Sequence, residues 1–381
     1  MKAKVISTAA LAALVILSAG CKKQSWRPVA GERINFRAVS DFGTDPETRT
    51  AYSGQYFTVD GYANKFERID WVEGDNITIA YLSHTQGANF TINSDDYKIT
   101  GVSDDGKEKS FATIAPTGGP YGGNGLKWQD NETHMFYACY PGVSHDSDYV
   151  FEMGSDGIVA KVPFEYPAAQ VLTRSETDEN VFLADMTYAS MLYSDDGDGI
   201  SLPAGKEKVI NLSFSPHFTA FEFQVAAKEG DSFPLKGFTL SSASENISGR
   251  YLWTMGPAPE LDWFDDPVEG SVYKTVSVDF SSFEITLTDA QPITFTVLTR
   301  GEEDWNDLTI TFQIETTEGV TINRSLKLAY ASQNYISFRH HWKHRIYGLR
   351  IPVSLEVGTL WYASDGAGNY LDGGNPFDGE I

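Results

Sequence analysis

The stretch that decides the fold class is Leu308-Thr309-Ile310-Thr311-Phe312-Gln313-Ile314. Apolar side chains take every second position, and Thr or Gln stands between them. Because successive side chains of a β-strand point to opposite faces of a sheet, this alternation predicts a strand with one buried face. The β-branched and aromatic residues in the stretch favour the same conformation.

The same alternation recurs along the chain, at residues 77–81, 221–225, 276–280, 283–287, 293–297 and 351–357. Turn-forming residues separate these runs, and the whole chain has 34 Gly and 16 Pro. A weak helix of one or two turns is predicted at residues 178–185. We therefore predict an all-β protein built from antiparallel β-sandwiches.

The N-terminus has the pattern of an export signal. Lys2 and Lys4 precede an apolar run at residues 11–17, and small residues lead into Cys21. This run is shorter than the roughly 20 apolar residues that cross a bilayer as a helix. Leu17-Ser18-Ala19-Gly20-Cys21 resembles the bacterial lipobox, in which the cysteine sulfur is diacylated. We therefore predict a lipid anchor at Cys21 that holds the protein at the outer membrane or cell surface; the alternative is an ordinary signal peptide with a chance cysteine.

Charge and cysteine content exclude several classes of partner and bond. The chain has 29 Lys and Arg against 52 Asp and Glu, a net charge of -23. Nucleic acid is therefore not an expected partner, because phosphate binding needs clustered basic residues. Lipidation of Cys21 leaves Cys139 as the other cysteine, so no intramolecular disulfide is expected. Cys139 stands in an aromatic run, which predicts a buried, inert thiol.

The length suits about two domains of ordinary size. A turn-rich stretch at residues 195–205 separates irregular strands from longer, more regular ones. We predict a signal peptide at 1–20, a lipidated leader at 21–49, an N-terminal β-sandwich domain at 50–205 and a C-terminal β-sandwich domain with a flexible tail at 206–381. The leader is polar enough to be a tether, with room for one short strand at Arg33–Val39.

Six segments carry a resemblance to a known family, and they occur in the family's order. They are Thr48–Gly54, Ile69–Ile77, Phe136–Pro141, Asp185–Ala189, Pro216–Phe223 and Lys343–Leu349. Together with the lipobox, they resemble the fimbrillin-like family of Bacteroidales surface lipoproteins, the subunits of type V pili. The Gly that usually precedes the late Lys is absent here. The resemblance implies two tandem transthyretin-like sandwiches, no cofactor, no reaction, and assembly with other fimbrial subunits by strand donation.

The resemblance also implies that the leader is cut after a basic residue during maturation. Arg49 stands between the polar leader and the first domain and is the expected cleavage site, with Arg37 and Arg33 as alternates. For the donated strand we predict residues 359–381, which follow a terminal strand at 353–362. An ordinary last strand followed by a frayed tail is the equally weighted alternative.

The residues give no pattern of catalytic or metal-binding chemistry. His340 and His344 would share one face of a helix, but the following residues read as a strand, so no metal site is expected. Asp196-Gly197-Asp198-Gly199 lacks the distal Glu of a helix-loop-helix calcium site, so calcium there is only weakly supported. We expect no catalytic residue, no cofactor and no enzyme activity.

The sequence leaves two main functions open, and it supports a third, a hydrolase, less well than either. The first is a structural or accessory subunit of a cell-surface fimbria that supports adhesion. The second is a surface glycan-binding lipoprotein of a carbohydrate-uptake system. Exposed aromatic residues would form the sugar platform of such a protein, and the candidates are Trp253, Trp263-Phe264, Trp305 and Trp361-Tyr362.

Overall fold

The computed structural model describes residues 31–40, 52–58, 65–84, 90–105, 109–118, 123–129, 133–142, 150–154, 157–188, 191–194, 200–201, 209–255, 265–301, 305, 307–328 and 343–353. Cys21, Arg49 and the predicted tail at 359–381 lie outside these residues. No helix in the described part of the chain is long and apolar enough to cross a membrane.

The described residues are almost entirely strands, which confirms the predicted all-β class. In chain order they are β1 (Phe36–Ser40), β2 (Tyr52–Thr58), β3 (Lys65–Ile69), β4 (Asn76–His84), β5 (Phe90–Asp104), β6 (Ser110–Pro116), β7 (Thr133–Tyr140), β8 (Val150–Gly154), β9 (Gly157–Tyr166), β10 (Ala169–Gln170), β11 (Leu172–Arg174), β12 (Val181–Ala184), β13 (Met191–Ser194), β14 (Ile200–Ser201), β15 (Ile210–Pro216), β16 (Phe218–Ala227), β17 (Ser232–Ser241), β18 (Ser248–Met255), β19 (Asp265–Tyr273), β20 (Thr275–Asp279), β21 (Thr286–Thr288), β22 (Ile293–Arg300), β23 (Thr309–Glu315), β24 (Thr321–Lys327) and β25 (Lys343–Ile351). Short 3-10 turns span Met186–Tyr188 and Ser281–Phe283.

The largest sheet closes on itself. Its strands follow the order β15-β1-β6-β5-β4-β7-β13, and β13 pairs in turn with β15. β14 pairs with β7 along the edge that β13 also uses. Each strand of this ring therefore has a hydrogen-bonded neighbour on both sides, and β1 from the leader is one member of it.

Aromatic side chains fill the inside of this closed sheet. Trp71 packs edge-on against Tyr140 and Phe214, with ring centroids 5.7 and 5.2 Å apart. Phe136 from β7 makes similar contacts with Phe36 of the leader and with Trp128. The aromatic run that ends at Tyr140 is therefore core, and burial of several large rings supplies much of the hydrophobic stabilisation.

Later strands form a sandwich of two sheets. One sheet has the order β10-β20-β17-β23-β24, with β21 pairing to β17, and the other has the order β11-β12-β22-β16-β25. Phe238 of β17 lies 4.8 Å from the rings of both Phe223 and Phe295, which come from the opposite sheet. β19-β18-β9-β8 and β2-β3 form two further sheets.

Several sheets are mixed, whereas the sequence pattern predicted antiparallel sheets. β1–β15, β10–β20, β12–β22 and β16–β25 are parallel pairs. Period-two alternation reports which face of a strand is buried and carries no information about the direction of its neighbour. β15 follows the predicted domain boundary at residue 205, yet it pairs with β1 of the leader; the boundary itself stays a prediction.

Five predicted strands are confirmed: those at 77–81, 221–225 and 293–297 lie inside the longer strands β4, β16 and β22, and those at 276–280 and 308–314 match β20 and β23 with a shift of one residue. The strand predicted at 283–287 is wrong in its first half. Phe283 ends a 3-10 turn, and Glu284 has a φ of 52°, in the left-handed region, so extended backbone resumes only in β21. The predicted strand at 351–357 meets β25 only at Ile351, and the residues after Val353 lie outside the described part.

The helix predicted at 178–185 is also wrong. Its second half is β12, which pairs with β22 and places Phe182 against the rings of Phe280 and Phe283. Its first half is a turn, in which the Asp178 carboxylate accepts the Asn180 N–H at 2.9 Å. Asp side chains compete with helix formation through such local bonds, and burial of Phe182 then favours the strand.

Candidate functional site

The candidate site is the slot between β15 and β6 that holds the leader strand β1. β1 runs parallel to β15, with Phe36 opposite Ile210 and Ser40 opposite Phe214. It runs antiparallel to β6, with Ser40 opposite Ser110. The strand predicted in the leader is therefore present, and it is an integral member of the closed sheet.

One face of the leader strand is buried in the aromatic core. Ile34, Phe36 and Ala38 are 1%, 5% and 0% exposed. The Phe36 ring stands edge-on to Tyr97 and Phe136, at centroid distances of 5.5 and 5.3 Å. Full burial of an aromatic or large aliphatic side chain contributes about 1.5–3 kcal/mol, so this alternating set is the main attraction between leader and slot.

Polar groups inside the slot have partners. Ser40 Oγ donates to the Ser110 carbonyl at 3.3 Å and accepts the Ser110 N–H at 3.0 Å. The Tyr97 hydroxyl accepts the Leu126 N–H at 2.8 Å. Burial raises the pKa of Tyr97 above its ordinary value, so the phenol remains neutral. These neutral, hydrogen-bonded groups suit an apolar strand.

Arg37 lies on the outer face of β1. Its Nε donates to Asn211 Oδ1 at 3.0 Å, and its guanidinium stands 5.1 Å from the centre of the Phe111 ring. These contacts tie the leader to the strands on both sides. Because Arg37 is exposed, each contact is worth at most about 1 kcal/mol.

The alternate cleavage sites Arg33 and Arg37 are poorly placed for a protease. Arg37 lies inside β1, with a paired strand on each side. The backbone of Arg33 forms an isolated antiparallel β-bridge with that of Lys127. A protease needs an accessible chain, and hydrogen-bonded backbone in a sheet does not provide one. The expected site, Arg49, lies outside the described residues and stays a prediction.

The root of the C-terminal tail is fixed to the sandwich. Glu222 of β16 pairs with Lys343 and Arg345 of β25, at 2.7 and 3.2 Å. Burial alone would raise the pKa of the Glu222 carboxyl, but these two cations outweigh burial and lower the pKa to about 2. Beyond β25, the Val353 N–H donates to Asp231 Oδ2 at 3.0 Å, so the chain is held as far as Val353, six residues before the predicted tail at 359–381.

Other residues singled out in the sequence have structural roles. Trp305 is 1% exposed, so it is wrong as part of a sugar platform. Trp253 lies within β18, whereas Trp263 and Trp361 fall outside the described residues. Cys139 is buried, as predicted. His344 is buried against the Phe221 ring, and in the described ranges no three His, Cys, Asp or Glu side chains converge as metal ligands.

No sequence pattern pointed to the residues that hold the segment beside the slot. The Asp95 carboxylate accepts N–H groups from Gly123 and Gly125, and His134 Nε2 accepts the Gln129 N–H. The Gly-rich composition of residues 117–125 was the one signal available. It indicated a loop but could not identify the side chains that bind the loop.

Comparison with known proteins gave matches among solved structures only; no family model and no curated protein matches. A structure from Bacteroides uniformis, described as a "putative cell adhesion protein", has 12% identity and a TM-score of 0.40 over 80% of this chain and 88% of that chain. A second "putative cell adhesion protein", from Bacteroides fragilis, has 11% identity and a TM-score of 0.41 over 86% and 95%.

A fimbrial protein from Bacteroides ovatus has 12% identity and a TM-score of 0.31, and the match covers 84% of this chain and 49% of that one. All three similar structures come from Bacteroides, and their descriptions name cell adhesion or fimbriae. Neither the identities nor the TM-scores are high enough to transfer a function to this chain.

Proposed function

We propose that this protein is a subunit or accessory protein of a cell-surface fimbria, and that it assembles when a neighbour's strand replaces the leader strand β1. The observation that carries the proposal is the position of β1, which completes a closed sheet although it lies before the expected cleavage site. The role is structural and adhesive, and it requires neither a cofactor nor a reaction.

Removal of β1 would leave the sheet incomplete. β15 and β6 would each expose a row of backbone N–H and C=O groups, and the positions of Ile34, Phe36 and Ala38 would become an apolar groove. Exposed strand edges pair readily with another strand, and alternate side chains of that strand then fill the groove. Cutting after Arg49 would allow this replacement, because the leader would no longer be covalently linked to the rest of the chain and could dissociate from the slot.

The donated strand proposed here comes from the C-terminal tail of a second copy. Three alternate residues of this tail match the buried residues of the leader in side-chain size: Leu360 corresponds to Ile34, Tyr362 to Phe36 and Ser364 to Ala38. In that register Asp365 would fall at the place of Val39, which is buried, so the match ends at Ser364.

The family resemblance of the sequence and the names of the similar structures agree with a fimbrial or adhesive role, but they do not carry the argument. Lipidation at Cys21 fits the same proposal as an anchor of the precursor to the outer membrane. A glycan-binding role has lost Trp305 as a candidate platform residue, and no described contact favours it.

A reversible lock on β1 tests the proposal. Ala38 and Ala112 are directly opposite in β1 and β6, where paired Cα atoms lie about 4.5–5.5 Å apart, within the range of a disulfide. The variant with Ala38→Cys and Ala112→Cys, expressed from Lys22 onward, would be oxidised and then cut after Arg49. We expect no oligomers while the bond is intact and assembly after reduction, measured by size-exclusion chromatography and electron microscopy.

Two controls make the test specific. The unsubstituted chain, whose Cys139 is buried, should assemble under both oxidising and reducing conditions after cleavage. Deletion of residues 359–381 should leave a folded monomer that does not assemble. Assembly of the oxidised, locked variant would refute strand replacement, and assembly of the deletion variant would place the donor strand elsewhere.

A further inference from the structure

The leader makes a second set of main-chain bonds before β1 begins. The Gly31 N–H donates to the Trp128 carbonyl at 2.8 Å, and the Trp128 N–H donates to the Glu32 carbonyl at 3.0 Å. The Ile34 N–H donates to the Leu126 carbonyl at 2.8 Å. Residues 31–34 therefore pair with part of residues 123–129, which we call the flanking segment, and Ile34 is buried there.

Side chains of the closed sheet, and not only the leader, hold the flanking segment in place. Asp95 Oδ1 accepts the Gly123 N–H at 2.6 Å, and Asp95 Oδ2 accepts the Gly125 N–H at 2.8 Å. Tyr97 Oη accepts the Leu126 N–H at 2.8 Å. Hydrogen bonds to a carboxylate are roughly twice as strong as neutral ones, so Asp95 is the principal anchor.

Gly125 allows the close approach of the leader to this segment. Its φ is +89°, in the left-handed region. A Cβ there would lie 2.8 Å from Pro116 Cγ and 3.2 Å from Arg33 Cδ, so a larger residue would force the leader or β6 to move. The segment is thus shaped to receive a strand at the place of residues 31–34.

The flanking segment has hydrogen bonds to the closed sheet and hydrogen bonds to the leader, and only the second kind is lost when the leader departs. The bonds from Asp95 and Tyr97 stay, whereas the Trp128 N–H and the carbonyls of Leu126 and Trp128 lose the leader partners named above. Buried backbone groups without partners are costly, so these groups attract another strand.

We propose that the flanking segment is a preformed second part of the strand-binding slot. A strand from a neighbouring copy would pair with this segment as well as with β15 and β6. In the register that places Leu360 on Ile34, residues 359–364 of that strand would take the positions of residues 33–38, with the apolar Leu360 at the position of Ile34. This inference rests on the proposed replacement of β1, and it specifies the length and pattern of the strand that replaces it.

Peptide competition on the cut chain separates the two claims. The chain from Lys22 onward, cut after Arg49, retains its labelled leader fragment, and unlabelled peptides are added to displace it. One peptide has the sequence of residues 31–40, a second that of residues 35–40, and a third is the longer peptide with Ile34→Ser. We expect the longer peptide to displace the leader at a concentration at least about tenfold lower than the other two, because burial of an Ile side chain is worth that factor or more.

Asp95→Asn tests the anchor directly. In this variant the displacing concentration of the longer peptide should move closer to that of the shorter one, and the displacing concentration of the shorter peptide should not change. Asp105→Asn is the matched control, since Asp105 also accepts a backbone N–H, from Lys109, but in an exposed turn. Equal displacement by the long and short peptides would refute the second part of the slot and leave strand replacement intact. If no peptide displaces the leader, strand replacement itself is contradicted.

Hydrogen exchange gives a readout that does not depend on displacement. In a chain that begins at Asn35, the Trp128 amide should exchange much faster, because its bond to Glu32 is lost. The Leu126 amide should stay protected, because Tyr97 holds it. Loss of protection at both amides would show that the flanking segment is not preformed and would overturn the inference.

Discussion

Phe36→Ala removes the side chain that contributes most to holding the leader in its slot. The ring is 5% exposed and packs edge-on against Tyr97 and Phe136. Truncation of a buried Phe to Ala costs about 3–5 kcal/mol, from lost transfer free energy and from the cavity that remains. Once the chain is cut after Arg49, this cost falls on leader binding. At about 1.4 kcal/mol per factor of ten, the affinity should fall by about 10² to 10³ or more.

The assay is release of a labelled leader fragment from the cut chain, followed by fluorescence anisotropy after dilution. Phe312→Ala is the matched control, because Phe312 is equally buried but lies in β23 of the sandwich. We expect the control to lower the free energy of unfolding by a similar amount without faster release. Release at the unsubstituted rate from the Phe36 variant, or equally fast release from both variants, would refute the slot as the place where the leader is bound.

The remaining predictions concern charge and the anchor. Glu222→Gln leaves two buried cations without their carboxylate and should cost about 3–5 kcal/mol of unfolding free energy at neutral pH. Because the folded pKa of Glu222 is lowered to about 2, its contribution to stability is fully present above the ordinary value of 4.5 and fades as pH falls toward 2. Chemical unfolding of the natural chain and the variant at pH 7 and pH 2.5 should show that the difference between their unfolding free energies shrinks at the lower pH. A constant difference would contradict the ion pairs. Burial raises the pKa of Asp75, against the opposing bond from Tyr140, so its contribution is present below pH 3.8 and is lost as pH rises through the folded pKa. Asp75→Asn should therefore gain stability relative to the natural chain on going from pH 3 to pH 7, and a relative loss would contradict a partly buried carboxyl whose pKa is raised. Cys21→Ala should abolish metabolic labelling with a fatty acid, and labelling that survives the change would exclude the anchor.

Of the three strands that form the candidate site, only the leader strand was predicted from the sequence. A short strand was predicted at Arg33–Val39, and β1 at Phe36–Ser40 confirms it. The place of that strand could not be predicted, because its neighbours β6 and β15 lie far away in sequence. The anchor role of Asp95 was equally hidden, since an Asp in a polar stretch looks the same whether it faces water or accepts buried N–H groups.

Errors in the local prediction have the same origin. Residues 178–185 have no strong preference of their own, and contact of Phe182 with Phe280 and Phe283 decides their conformation. At Glu284 a single left-handed residue interrupts an alternating run that otherwise favours a strand. Tertiary packing overrides local preference most easily where that preference is weak.

The sequence by itself determined that this protein is all-β and which strands have one buried face, and it predicts an export and lipidation signal that ends at Cys21. These properties depend on residues close together in the chain, such as the alternation at 308–314. Only the tertiary structure decided that the leader strand completes a closed sheet and that the flanking segment extends its slot. Hydrogen bonds between backbone groups of distant strands are indifferent to side-chain identity, so no local pattern records which strands they join.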